Sequence, residues 1–503
     1  ARNTLSSIVF SVFNALTSFL AVPYLKNRLG WDNYGILGTA NTFVLYTQIL
    51  TVVLVGTVFR FVTMCLAKDD VEGARGYFNT QFITALVFVM AFLPIAGAIS
   101  LLTPAILSNI PAGQERNTQI LFALVYLSFL LILLSNPFQV GQFVKQRFDV
   151  RNGIEIANQT VRYSTWLLLF AFFSPVMWHV GIGYVLGATV TLAATVAAFK
   201  RFTPQLVPSL SGFCKSKFLE MTRMGSWLMV SQLGVVLYLS IDPFIIFTMI
   251  GADASGKYYS ILGLALMLRV LAATMNSLVV PMAIASYARQ DWVVLVKNLA
   301  RAVKFISLGM AIPLGILCGL SVPFITRWLG SDVAGLLSPL VWLLLAHNVI
   351  NCGVEPLFAI NLAANKVAVP GMVTAFGGVL KLAAAIALVR YTNLGIHGVA
   401  IAGLVSLTLK NAVFTPLYAG RVLNVSSAPF YTSLIPAVLV FGCLSASGYA
   451  LAASYDLATY PRLLIVGLLL AGASVVCVYR LALGEDDRAF LSRLRARKQE
   501  EAV

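Results

Sequence analysis

The stretch FITALVFVMAFLPIAGAI, residues 82–99, carries no charged side chain. A helix needs about 20 mostly apolar residues to cross the hydrocarbon core of a bilayer, and stretches of this kind recur along nearly the whole chain. Lipid offers backbone N–H and C=O groups no partner except one another, so only helices or a closed barrel satisfy them. The run lacks the strict alternation of barrel strands. Composition agrees, with 59% of the 503 residues hydrophobic and 11% charged, against about 25% charged in soluble domains. The sequence predicts an all-α integral membrane protein.

Fourteen candidate spans lie near 4–25, 36–60, 78–102, 118–143, 152–174, 179–199, 224–249, 258–286, 303–325, 336–363, 367–390, 396–418, 429–451 and 460–480. The first is too long, and too closely followed by others, for a cleaved signal peptide. An even count puts both termini on one side. With that side cytoplasmic, the inner segments collect 24 Lys and Arg residues and the outer loops seven, as the positive-inside rule requires. A basic face beside anionic membrane lipid accounts for most of the +16 net charge without a nucleic-acid partner.

One junction is written twice. YGILG at 34–38 follows a proline (Pro23) and a glycine (Gly30), and YSILG at 259–263 follows Pro243 and Gly251. Counted in spans, the first opens span 2 and the second opens span 8. The unit of repetition is six helices, related by an axis along the membrane normal. The expected architecture is therefore two six-helix lobes around a central cavity, plus two extra C-terminal helices. Their bounds are 1–200 (N-lobe), 201–223 (cytoplasmic linker), 224–423 (C-lobe), 424–483 (the last two spans) and 484–503 (a basic tail).

Catalytic signatures are missing from the sequence. It has no G-x-x-x-x-G-K-[ST] for nucleotide phosphates. His179, His347 and His397 are scattered, and the six cysteines show no C-x-x-C spacing, so no metal site is indicated. The informative residues are charges at mid-membrane depth: Arg162, Arg269, Lys381 and Lys410, each placed near the middle of its span. One such charge costs about 2.5–3.5 kcal/mol on insertion scales, so each needs water, a partner charge or a ligand. Intramembrane acids are fewer, Asp242 and Glu355. Asn158 shares the Arg162 face of span 5, and Asn276 shares the Arg269 face of span 8. Asn14 belongs to a Ser/Asn stripe on span 1 and Asn41 lies on span 2; His347, Asn351 and Glu355 are spaced by four. Together these stripes predict a hydrated, positive cavity that takes an anion. With no ATP site, the fitting ligand is a lipid bearing a phosphate or pyrophosphate headgroup, moved by alternating access. No cofactor is expected. Transport then runs downhill or couples to a H+ or Na+ gradient, with Glu355, Asp242 and His347 as the ion-coupling candidates.

Pro23 through Gly38, with Gly56 and Arg60 beyond, resembles the opening of Wzx-type polysaccharide flippases. Asp242, Gly251, Tyr259 and Pro281 are similar to that family's entry into its second half. The resemblance covers nearly the whole chain and implies membership of the multidrug/oligosaccharidyl-lipid/polysaccharide exporter superfamily. It implies flipping of an undecaprenyl-diphosphate-linked oligosaccharide across a bacterial cytoplasmic membrane, with cationic cavity residues carried over by depth onto Arg162, Arg269, Lys381 and Lys410. Association with a glycan polymerase and assembly proteins fits the same reading. Three alternatives stay open: a multidrug exporter of the same superfamily, a lipid II-type flippase, and a membrane glycan polymerase or transferase. The first would need acids deep in the cavity and the third a sizeable outer loop.

Overall fold

The computed structural model describes residues 2–277, 279–364, 366–457, 459–485 and 487–489, with side chains at all but 4, 48–57, 224–228, 230, 231, 281, 288, 362 and 481. The chain is helical throughout, with no strand among the described residues. In order come α1 (Arg2–Leu66), α2 (Val71–Ile106), α3 (Glu115–Ser135), α4 (Val140–Val144), α5 (Phe148–Phe172), α6 (Met177–Phe202) and α7 (Lys215–Leu239). Next follow α8 (Asp242–Met249), α9 (Ala252–Ser277), α10 (Val279–Ala288), α11 (Trp292–Gly319), α12 (Ser321–Trp328), α13 (Ser331–Leu345) and α14 (Asn348–Gly353). The last are α15 (Phe358–Ala363), α16 (Ala368–Tyr391), α17 (Ile396–Thr408), α18 (Thr415–Leu423), α19 (Ala428–Thr432), α20 (Ile435–Ser454) and α21 (Tyr460–Cys477).

Among the described residues, eleven helical runs are long and apolar enough to cross a membrane. The number is twelve when Gln232–Leu239 and Asp242–Met249, bent by 49°, count as one broken span. Two of the fourteen expected spans sit inside the single run α1, which turns at Gly30 in a left-handed backbone conformation (φ 81°). The expected fifth span is the helix α5, whose stripe of Asn, Gln, Glu and Arg leaves it too polar to qualify on hydropathy. The 490–503 part of the expected tail lies outside the described residues.

The chain packs as two compact units, Ala1–Ser260 with Thr374–Val399, and Ile261–Val373 with Ala400–Val503. In the first unit, Leu25, Tyr34, Ile36, Phe122, Trp166, Phe170 and Phe247 form a buried cluster. In the second, Leu295, Leu299, Val354, Leu357, Ile360 and Phe430 do the same. Leu5, Ile8, Val12 and Leu16 on α1, and Leu464, Ile465 and Leu468 on α21, are exposed. Such apolar faces suit lipid, where leucine has nothing to gain by leaving the solvent. Asp70 ends the first tight turn by accepting from the Gly73 amide at 2.7 Å, capping α2, which satisfies one of the orphan donors of a helix start. Beyond α21, Asp487 accepts from Arg301 Nε (3.1 Å) and Lys304 Nζ (2.8 Å) on α11. Burial works against its ionisation, yet these two hydrogen bonds hold its carboxyl below the ordinary carboxylate value.

The repeated junction packs on itself. The Tyr34 and Tyr259 rings lie 5.5 Å apart. A Cβ on Gly35 would stand 2.0 Å from the Ala252 carbonyl oxygen, and one on Gly256 would stand 2.2 Å from the Trp31 carbonyl oxygen. These glycines let the second half of α1 cross the start of α9 at backbone contact. Gly263, four residues beyond Tyr259, faces open space. Gly35→Ala is therefore expected to destabilise the protein by about 1–3 kcal/mol, the range for overpacking. Gly263→Ala should be neutral or stabilising by up to about 1 kcal/mol from helix propensity. Thermal midpoints of the two variants in detergent check this, and equal midpoints refute the crossing.

Candidate functional site

The mid-depth cations divide between the two units. In the first, α7 stops at Leu239 and α8 restarts at Asp242, with Pro243 at its N-terminus. A broken helix leaves carbonyls at the end of the first half without intrahelical partners. Lys381 of α16 supplies them: its Nζ donates to the Tyr238 carbonyl (3.0 Å) and the Leu237 carbonyl (3.5 Å), and it ion-pairs with Asp242. Tyr258 donates its hydroxyl to the other carboxylate oxygen at 2.6 Å. Lys381 has no exposed surface and Asp242 is 3% exposed. This corrects the expectation that Lys381 lines a cavity, because its charge is consumed by the break in the neighbouring helix.

Arg162 of α5 is built differently. Its Nη2 donates to the Tyr163 hydroxyl at 3.1 Å. The guanidinium lies 4.8 Å from the centre of the Tyr163 ring, 5.2 Å from Tyr184 and 5.6 Å from Trp166. Cation–π contacts of this kind contribute about 0.5–2 kcal/mol, and the Arg162 side chain is half-buried. Its Nε is buried with no hydrogen-bond partner, and no ion pair to Arg162 exists among the described residues. Glu155 lies seven residues back, about 10 Å along the helix. Trp166 is anchored by donating to the Val180 carbonyl at 3.0 Å. Asn41 donates to the hydroxyls of Tyr184 and Tyr259, both at 3.3 Å.

Two expected ligand residues are spent on helix contacts. Asn158 donates to Thr191 Oγ1 (2.7 Å), joining α5 to α6. Asn14 accepts from Gln159 Nε2 (2.8 Å), and Thr17 donates to Gln159 Oε1 (3.1 Å), joining α1 to α5. The sequence placed Asn158 on the Arg162 face of span 5 and Asn14 in the Ser/Asn stripe of span 1, and both side chains bridge helices.

In the second unit Arg269 of α9 donates to Asn348 Oδ1 (2.9 Å) and to Glu355 Oε1 (2.8 Å). Its side chain is 19% exposed and that of Glu355 13%. Asn351 Nδ2 meets His347 Nδ1 at 2.6 Å, so that pair of the expected triplet does come together, while Glu355 turns to Arg269. A 3-10 turn, Glu355–Leu357, carries the break that Pro356 imposes. Lys410 stands in a π-helical segment, Leu409–Phe414, with its Nζ 4.9 Å from the Phe358 ring centre. It is within electrostatic reach of Arg269 and Glu355. Asn276 Oδ1 is buried without a partner.

Both mid-membrane acids are thus matched to cations, and two of the four cations are neutralised inside the protein. Of the four cations, each expected to need water, a partner charge or a ligand, Lys381 is in a locked pair, Arg269 in a partly exposed pair, Arg162 lies among aromatic rings and Lys410 lies beside Phe358. The tyrosines and tryptophan around Arg162 were not singled out from the sequence. Their spacing (163, 166, 184) reads as ordinary core.

Residues 1–285 match the family described as polysaccharide biosynthesis protein. The chain is 28% identical over 506 residues to the uncharacterized membrane protein EpsK of Bacillus subtilis (strain 168), with 99% of this chain and 98% of that protein covered. Its fold is similar to that of the lipid II flippase MurJ in an inward closed conformation, with TM-score 0.69, 13% identity, and 95% and 98% of the two chains covered. It is also similar to an inward-facing multidrug resistance MATE family transporter of the MOP superfamily, with TM-score 0.62, 14% identity, and 83% and 96% covered. The two structural likenesses concern the fold alone, whereas the family match spans more than half of the sequence. On that match the chain belongs to the polysaccharide biosynthesis protein family.

Proposed function

We propose that the protein is a flippase for an undecaprenyl-diphosphate-linked oligosaccharide, a repeat unit of O-antigen, capsule or exopolysaccharide. It carries this lipid from the cytoplasmic to the outer leaflet of a bacterial cytoplasmic membrane by alternating access. The observation that carries the reading is Arg162, a mid-span cation with no ion pair among the described residues, only Glu155 within electrostatic reach, and a buried Nε without an acceptor. A diphosphate headgroup supplies both charge and acceptors, and a guanidinium meets phosphate oxygens through paired N–H donors. The polysaccharide-biosynthesis family supports a glycan as the cargo.

The fourteen-span count is kept in this reading. The run α1 counts as two spans across Gly30, the bent pair as one, and α5 as a polar span facing the substrate path. Both termini are assigned to the cytoplasm on the excess of Lys and Arg in the inner segments. A multidrug exporter of organic cations fits less well, since Asp242 and Glu355 are already matched by Lys381 and Arg269.

Reconstitution tests the reading. A fluorescent polyprenyl-diphosphate oligosaccharide in proteoliposomes should become accessible to a membrane-impermeant quencher only when the protein is present. A matching uncharged polyprenol glycoside should not. Equal crossing of both lipids, or of neither, overturns it.

A further inference from the structure

The segment between α6 and α7, expected from the sequence as a cytoplasmic linker, is strapped along the start of α2. Arg75 Nη2 donates to the Gln205 carbonyl (3.0 Å), the Ser209 amide donates to Asn79 Oδ1 (3.0 Å), and the Cys214 amide donates to Thr80 Oγ1 (3.1 Å). Leu206 is buried in the cluster that holds Phe78, Phe138 and Phe199. Gly212 approaches α2 so closely that a Cβ there would stand 2.7 Å from that of Asn79. The outer surface of the strap is thereby fixed, and it is apolar: Val207, Leu210 and Phe213 are 55%, 70% and 47% exposed. Lys200 and Arg201 before it and Lys215 after it are exposed as well.

Depth and backbone chemistry say what covers that surface. Asn79 and Thr80 stand nine and ten residues past the Asp70 cap of α2, which is about 13–15 Å along the helix. The uncharged run of residues 82–99 begins just beyond them. In water, a loop amide needs no acceptor from the protein. At the edge of the hydrocarbon it does, because irregular backbone persists there only where protein satisfies its polar groups. Asn79 is 3% exposed and Thr80 fully enclosed, and both spend their side chains on amides of the strap. We propose that residues 203–215 are a membrane-docking strap for an anionic leaflet. Val207, Leu210 and Phe213 enter the acyl boundary of the leaflet where α2 begins, and Lys200, Arg201 and Lys215 hold the phosphates of anionic lipids beside them. Apolar residues flanked by cations are what binds a segment to such an interface, and anionic lipid concentrates on the cytoplasmic leaflet, the side assigned to this end of α2 above. The strap sets the depth at which α7 starts. It takes nothing from the identity of the transported lipid, so failure of the flipping assay leaves it standing.

The test is fluorescence quenching in the whole protein, carrying Leu210→Trp, in nanodiscs of phosphatidylcholine and phosphatidylglycerol. The emission of the parent, with its seven tryptophans, is subtracted. Bromine is placed on the acyl chains of one lipid or the other at equal mole fraction, and acrylamide reports access from water. Brominated phosphatidylglycerol is expected to quench the added tryptophan at least twofold more than brominated phosphatidylcholine, with acrylamide weaker than either. Adding Arg201→Gln and Lys215→Gln should bring the two lipids to parity while quenching from the chains persists. Should Leu210→Trp fail to fold, Phe213→Trp keeps an aromatic ring in the strap and carries the same expectation. Acrylamide quenching stronger than that of brominated lipid overturns the inference, because it puts the surface in water, where a protein partner would cover it. Equal quenching by the two brominated lipids with the cations intact overturns it too, as does a preference for phosphatidylglycerol that survives the two glutamines.

Discussion

Lys381→Ala is expected to remove about 3–5 kcal/mol of stability, the loss seen when one member of a buried ion pair is deleted. Lys381 is fully enclosed, and its Nζ serves Asp242 and two carbonyls at the end of α7. Without it, the Asp242 carboxylate keeps only the Tyr258 hydroxyl, and the broken helix regains orphaned carbonyls. Asp242→Ala should cost a similar amount by stranding the ammonium. Replacing both, as Lys381→Met with Asp242→Leu, should recover much of the loss, because no buried charge is then left uncompensated. Unfolding by SDS in mixed micelles measures the three variants against the parent. A single-variant loss below about 1 kcal/mol, or a double variant worse than either single one, would show that the pair is no lock.

Much of the fold was readable because lipid makes helix formation obligatory and apolar length measurable. Residues 82–99 announce a span to any reader of hydropathy, and α2 covers them. The polar fifth span was legible for the opposite reason: Asn158, Arg162 and Thr165 keep helical spacing even where hydropathy falls. Pairings across the bundle were not legible. Lys381 and Asp242 are 139 residues apart, and sequence depth shows only that both lie inside spans, not that their helices touch. Equal depth and opposite sign was the available signal, and it suggested a pair without choosing among four cations. The repeat was read from YGILG and YSILG, but its use as a crossing of α1 on α9 depends on Gly35 and Gly256, which are not at equivalent positions of the motif. The aromatic surroundings of Arg162 were hidden because tyrosine and tryptophan serve equally well as core.

The second large effect concerns the other ion pair. Glu355→Gln is expected to bring the ratio of transport rates with and without an inward proton gradient down to unity while leaving the fold intact. The contrast with Asp242 decides the assignment. Asp242 sits in a closed lock, whereas Arg269 and Glu355 keep 19% and 13% of their side-chain surface exposed, enough for water to reach them. Glu355 accepts from Arg269, which also donates to Asn348 and to Cys352 Sγ, and Cys352 and Lys410 are in electrostatic range of Glu355. Protonating Glu355 would release Arg269, and the 3-10 turn at Pro356 gives the helix a place to move. The glutamine still accepts a hydrogen bond from Arg269, so the stability lost should be about that of one charged hydrogen bond, roughly 1.5–3 kcal/mol. Asp242→Asn should do the reverse, lowering the unfolding midpoint and slowing transport equally with and without the gradient. Proteoliposomes loaded at one pH and diluted into another supply the measurement. A parent protein indifferent to the gradient, or a Glu355→Gln variant that still responds to it, would leave Glu355 as nothing more than the counterion of Arg269.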